Sequence, residues 1–147
     1  MAFTFHGGLH TYDGKELSKD KPITALAPKG DMVYPMSQHI GAPAVPVVAR
    51  GDKVLAGQKI AEANGAVSAC VISSVSGEVR AIEPRMTASG TESLSIVVEN
   101  DNEYRTIEGL GEKRDYRSLS ADQIRSVIKE AGIVGMGGAG FPTHVKL

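Results

Sequence analysis

Between Asp31 and about Asn100 the apolar positions come in short runs, each closed by a turn residue. That rhythm predicts strands rather than helices. Val33-Tyr34-Pro35-Met36 reads as a strand, and Pro35, which lacks an amide donor, confines it to a sheet edge. Pro43 and Pro46 lead into Val47-Val48-Ala49, and glycines at 51 and 57 then separate short apolar groups. Asn64-Gly65 predicts a type I′ hairpin. Further strands are expected over residues 67–72, 77–82 and 94–98. No helical period interrupts the block, so a parallel βαβ sheet is disfavoured. The expected fold class is mainly β, a small sandwich or barrel.

The flanks read differently. Residues 1–30 carry the turn signals Gly7-Gly8 and Asp13-Gly14, then a polar stretch from Lys15 to Lys21 that ends at Pro22. This predicts an irregular arm with one helical turn, packed on the β domain. Residues 101–119 are charged and broken by Gly109 and Gly111, and read as a linker. Ser120-Ala121-Asp122-Gln123 then matches a capping box, in which the Ser and Gln side chains satisfy each other's backbone donors. Ile124, Val127, Ile128 and Ala131 fall on one helical face, and Gly132 supplies a left-handed stop. One amphipathic helix cannot bury its face alone. The expected organisation is therefore an arm (1–30), a β domain (31–100), a linker (101–119) and the start of an incomplete further domain (120–147).

Composition narrows the function. Val and Ile together outnumber Leu three to one, and these β-branched side chains suit a pleated surface. Glycine, at 17 of 147 residues, is well above the usual ~7%. The net charge of −1 offers no basic stripe for phosphates, so nucleic acid is not an expected partner. No apolar run approaches the ~20 residues needed to span a bilayer. The N-terminus has neither the basic nor the apolar region of a secretory signal. The single cysteine, Cys70, is flanked by Ala69 and Val71 and reads as a small buried hydrophobe. One thiolate cannot hold an iron–sulfur cluster. His6 and His10 stand four apart across Gly7-Gly8, which argues against the helix a metal grip would need, and no metal site is expected. His39 reads as a hydrogen-bonded turn residue.

Two motifs point to specific chemistry. Gly51-Asp52, Val54, Gly57-Gln58 and Ile60-Ala61-Glu62, followed by Ser76-Gly77-Glu78-Val79 and Ile82, resemble the biotinyl/lipoyl family and its barrel-sandwich hybrid fold. Carriers of that family present a lysine at the central hairpin tip. The matching tip here, Ala63-Asn64-Gly65-Ala66-Val67, has no amine for an amide linkage, so the resemblance implies a scaffold and not a swinging arm. The second motif is Gly135-Met136-Gly137-Gly138-Ala139-Gly140-Phe141-Pro142-Thr143. It satisfies G-x-G-x-x-G literally, but a helix precedes it where a Rossmann fingerprint needs a strand. Its glycines still let backbone N–H groups approach a phosphate or a flat ring. Pro142 suits the first position of a following helix, whose N-terminus favours an anion.

The same loop resembles the glycine-rich nucleotide loop of the flavin-bearing subunit of respiratory complex I. The string from Ala131 to Leu147 is closer still to the RnfC component of the Rnf electron-transport complex. That likeness extends to Phe5-His6-Gly7-Gly8, Lys19-Asp20-Lys21-Pro22-Ile23, Pro35-Met36-Ser37-Gln38-His39-Ile40-Gly41-Ala42-Pro43, Gly51-Asp52-Lys53-Val54 and Ser73-Ser74-Val75-Ser76-Gly77. It implies the N-terminal third of a peripheral subunit on the cytoplasmic face of an ion-translocating membrane complex that couples ferredoxin to NAD. FMN and NAD(H) are the implied cofactors, with a pocket left incomplete by these 147 residues. Two [4Fe–4S] clusters belong to the family's C-terminal region. By residue match, Gly135, Gly137, Gly138, Ala139, Gly140, Phe141, Pro142 and Thr143 are the implied nucleotide loop, and Lys146 adds a point charge toward phosphate. The other Rnf subunits are the implied partners. The competing expectation is a non-catalytic interaction module that docks partner subunits.

Overall fold

The computed structural model describes residues 11–147. Among these residues seven strands form two antiparallel sheets around one core. They are β1 (Met32–Pro35), β2 (Val45–Pro46), β3 (Lys53–Val54), β4 (Lys59–Glu62), β5 (Val71–Ile72), β6 (Gly77–Met86) and β7 (Glu92–Asn100). The first sheet has the order β1-β7-β6-β3 and the second β2-β4-β5. β1 lies at a sheet edge, as Pro35 requires. The chain is mainly β, in line with its pattern. β6 and β7 run several residues beyond the expected spans, because the tight turn after Met86 keeps both in register up to Met86 opposite Glu92.

A bulge in β6 sets which side chains enter the core. Val79 pairs with Val98 and Ile82 with Ile96, with the register shift between Val79 and Ala81. Strict alternation from Val79 would put Ala81 inward and Ile82 out. The extra residue, Arg80, restores Ile82 to the inner face and leaves its own guanidinium to Asp31, 2.9 Å away. Val79, Ile96 and Val98 then pack with Tyr34, Met36, Val54, Ile60 and Val75.

Three expectations need correction. Asn64-Gly65 does not form a two-residue hairpin: β4 and β5 are joined through residues 63–70, and positive φ occurs at Gly65 but not at Asn64. Side chains shape this connection instead. The Ser68 hydroxyl accepts from Asn64 N–H (2.9 Å) and donates to Ala42 O (2.8 Å). The strand expected over 67–72 is accordingly reduced to Val71–Ile72. Residues 101–107 are also no free linker. Ala56 pairs with Thr106, Tyr104 packs on the core, and the buried Ser76 hydroxyl bonds Asp101 (2.6 Å) and Arg105 N–H (2.9 Å).

Among the described residues the arm contains one 3₁₀ turn, Lys15–Leu17. It meets the body at Pro28, whose carbonyl accepts from Tyr104 Oη–H (2.6 Å) and Asn100 Nδ2–H (3.0 Å). Upstream, Tyr12, Leu17, Ile23 and Leu26 are exposed. His6, His10 and Gly7-Gly8 lie outside the described residues.

Candidate functional site

The C-terminal segment begins with α1 (Ala121–Glu130), the one α-helix among the described residues. Its capping box forms as its sequence predicts: Gln123 N–H donates to Ser120 Oγ (3.3 Å), and Ser120 N–H donates to Gln123 Oε1 (2.8 Å). Gly132 ends it at φ +65°. A Cβ there would sit 2.3 Å from Cys70 O, so the glycine is required both by conformation and by close approach to the β body. Sequence pattern shows the helix stop but not the second demand.

No side chain of α1 is buried. Its open face and residues 107–112 border a groove of ≈ 630 Å³ that includes Ile72, Ile107, Leu110 and Val127. Ile124 and Ile128 are half-buried, and charge adds a tether to the sheet. Lys59 on β4 donates to Glu130 Oε2 (2.8 Å) and Glu62 Oε1 (2.9 Å). These two carboxylates, Glu130 foremost, raise the ammonium well above the ordinary lysine range, while Lys59 holds Glu62 below the usual carboxylate range. Nothing in the sequence singles out Lys59. Its partner Glu130 is 71 positions away and no local pattern links them.

Beyond α1 the glycine-rich segment closes on itself. Val134 bridges Pro142, Gly135 N–H donates to Phe141 O (2.9 Å), and Thr143 N–H donates to Ile133 O (3.0 Å). Gly135, Phe141, Pro142 and Thr143 thus form the neck of a loop whose tip is residues 136–140. Gly140 is held at φ +65°, and a Cβ on it would lie 2.9 Å from Gln38 O and 3.2 Å from His39 Cα. Gly137 and Gly138 differ. Neither has positive φ, and no described residue comes within 4 Å of a Cβ on either. Ala139 beside them is exposed, and Met136 is 97% exposed.

Pro142 is fully buried and stands at the N-cap of the 3₁₀ turn Thr143–Val145, one place earlier than the first helical position expected from sequence. The Lys146 ammonium lies 5.3 Å from the centroid of the Phe141 ring, a cation–π contact at the loop's neck. Next to it, burial and the charge of Lys129 hold the His144 imidazole below its ordinary range. His144 Nδ1 has no hydrogen-bond partner among the described residues.

Under the neck is a cleft of ≈ 320 Å³ lined by Tyr34, Gln38, His39, Cys70, Gly132 and Val134. Two of its polar groups have partners within the chain: Tyr34 Oη accepts from Ser74 N–H (3.0 Å), and both His39 ring nitrogens are bonded. Cys70 is buried, as its apolar neighbours predict. Among the described residues no three metal-ligating side chains gather, and no helix is long and apolar enough to cross a membrane.

Comparison with known proteins fits this geometry. A family model described as the RnfC barrel sandwich hybrid domain matches residues 3–103. The chain is 44% identical, over its whole length, to the RnfC-type component of the proton-translocating ferredoxin:NAD(+) oxidoreductase complex of Clostridium ljungdahlii, covering 32% of that protein. It is 45% identical over 98% of its length to the corresponding component of the Na(+)-translocating complex of Acetobacterium woodii, again covering 32%. With its counterpart in the ion-translocating oxidoreductase complex of Vibrio cholerae it shares 37% identity over 97% of its length and 19% of the relative's. The chain therefore spans a third or less of the relatives it matches. Two small antiparallel sheets about one core, the lysine-free connection at residues 63–67 and the match over residues 3–103 lead to one assignment: the chain belongs to the RnfC family and carries its barrel-sandwich hybrid domain.

Proposed function

We propose that this chain is the N-terminal portion of a peripheral electron-transfer subunit in a membrane-bound, ion-translocating ferredoxin:NAD oxidoreductase. In this reading residues 1–30 are an arm, the β domain is a scaffold, and residues 120–147 begin the FMN/NADH-binding domain. The subunit works at the cytoplasmic face of the membrane with the other Rnf subunits. The iron–sulfur clusters of the family lie in its C-terminal region, outside these residues.

One observation carries the nucleotide reading. Gly137 and Gly138 lack side chains although neither backbone conformation nor any described neighbour forbids one. Bare peptide with open space on its outer side is what a phosphate or a flat ring needs for close approach. Gly135, Gly137, Gly138 and Ala139 would border the nucleotide. Gly140, Phe141, Pro142 and Thr143 hold the loop's shape, and Lys146 leaves a positive charge at its neck. FMN and NAD(H) supply the hydride and electron chemistry when bound, and the protein's part is orientation.

The test is Gly137→Val and Gly138→Val in the full-length protein. Since both positions face open space, melting temperature should hold within about 2 °C, while nucleotide affinity falls by roughly tenfold or more. Unchanged NADH oxidation in both variants would leave the interaction-module reading as the better one. The exposed Tyr12, Leu17, Ile23 and Leu26 are what favours that second reading.

A further inference from the structure

We infer that His39 is the positioning residue that seats the glycine-rich loop on the β body, through a hydrogen bond that joins the two body segments on which Gly132 and Gly140 rest. The inference rests on the nucleotide reading only for its consequence for binding.

The loop touches the body backbone to backbone at two places. Just before it Gly132 lies against Cys70 O, and at its tip Gly140 lies against Gln38 O and His39 Cα. In both cases a single Cβ would overlap the body, so the loop's position follows that of residues 38–39 and 70 closely. Those two segments belong to different connections of the fold. Ala42 N–H to Val67 O and the Ser68 hydroxyl to Ala42 O also join these connections, but the link at residues 39 and 69 themselves is His39, whose Nε2 accepts from Ala69 N–H at 3.1 Å, while its Nδ1 lies 3.0 Å from Ile40 O. A carbonyl only accepts and an amide N–H only donates, so both bonds together require the neutral ring with its proton on Nδ1. The bond from Ala69 N–H is buried, so removing the Nε2 acceptor leaves that amide without its partner. A change at His39 should therefore move residue 69 relative to residue 39, and with it the spacing of the seats of Gly132 and Gly140.

The expected consequence is local. His39→Phe keeps a flat ring but removes the acceptor, whereas His39→Gln returns an acceptor on a flexible chain. Hydrogen exchange in the full-length protein reads the loop through Gly135 N–H and Thr143 N–H, the two amides that close its neck. In H39F both should exchange about tenfold faster or more, with H39Q close to wild type and Gly51 N–H, bonded to Val79 O, unchanged. Wild-type protection at Gly135 and Thr143 in H39F would overturn the proposal. So would an H39Q as fast as H39F, or an equal rise at Gly51. If H39F does not fold, the imidazole nitrogen shifts of the wild-type protein decide: a protonated Nδ1 and bare Nε2 are expected, and the opposite tautomer overturns it. In steady-state kinetics H39F should raise KM for NADH with kcat retained. A loosened loop with KM unmoved would count against the nucleotide reading and leave the seat intact.

Discussion

Gly140 and Gly137 are three positions apart and answer to different forces. Gly140 is left-handed and pressed on the Gln38 carbonyl, so Gly140→Ala should cost roughly 1–3 kcal/mol from αL strain and overlap. Gly137→Ala meets no described neighbour and removes flexibility from the unfolded chain, so urea unfolding should show no loss and a gain of up to about 1 kcal/mol. Glycine count and spacing make the loop visible in the sequence but cannot separate these two kinds of glycine. The difference depends on residues 38–39, a hundred positions upstream. The same holds for His39, whose partner Ala69 is 30 positions away. Asp101 gives a prediction in pH. Ser76 foremost, then Arg105 and the Glu103 N–H, lower its pKa to about 2. A carboxylate lowered on folding adds stability fully above its unfolded range near ~4, and loses it as pH falls through its folded value. Between about pH 4 and 2 the stability of wild type should therefore fall toward that of Asp101→Asn, measured by urea unfolding at stepped pH.

Among elements, α1 is the most legible, yet none of its side chains is fully buried. Its start, stop and apolar face follow from neighbours within four residues, which is why Ser120, Gln123 and Gly132 are readable. Its attachment is not, because Lys59 and Glu130 meet only once the sheets have formed. Lys59→Met should leave the β body's unfolding free energy within about 1 kcal/mol of wild type, since the pair is partly exposed. Exchange of the α1 amides should nonetheless rise about threefold or more, because the helix buries no side chain of its own. A rise no larger than that in β7 would show that the tether is unimportant. The 63–70 connection departs from its turn signal for the converse reason. Asn-Gly is a strong local cue, but Ser68 offers the Asn64 N–H another partner while His39 holds Ala69 N–H, and those bonds prevail.

At the scale of the whole molecule, mainly-β character is plain because strand alternation and turns are local, while sheet order depends on pairings that no periodicity records. One of those pairings sets the order in which the molecule assembles. β6 and β7 pair along nearly their whole lengths across a turn of only five residues, whereas β1 must find β7 across some sixty. Closing the shorter loop costs less chain entropy, so this ribbon is the natural nucleus onto which the rest condenses. Ile96→Ala, about 2–5 kcal/mol destabilising, should then act mainly by slowing refolding, while Val71→Ala in β5 should mainly hasten unfolding. Stopped-flow chevrons of the two variants would separate these outcomes, and a residue already in place at the barrier is one whose loss a nascent chain would feel before the glycine-rich loop exists.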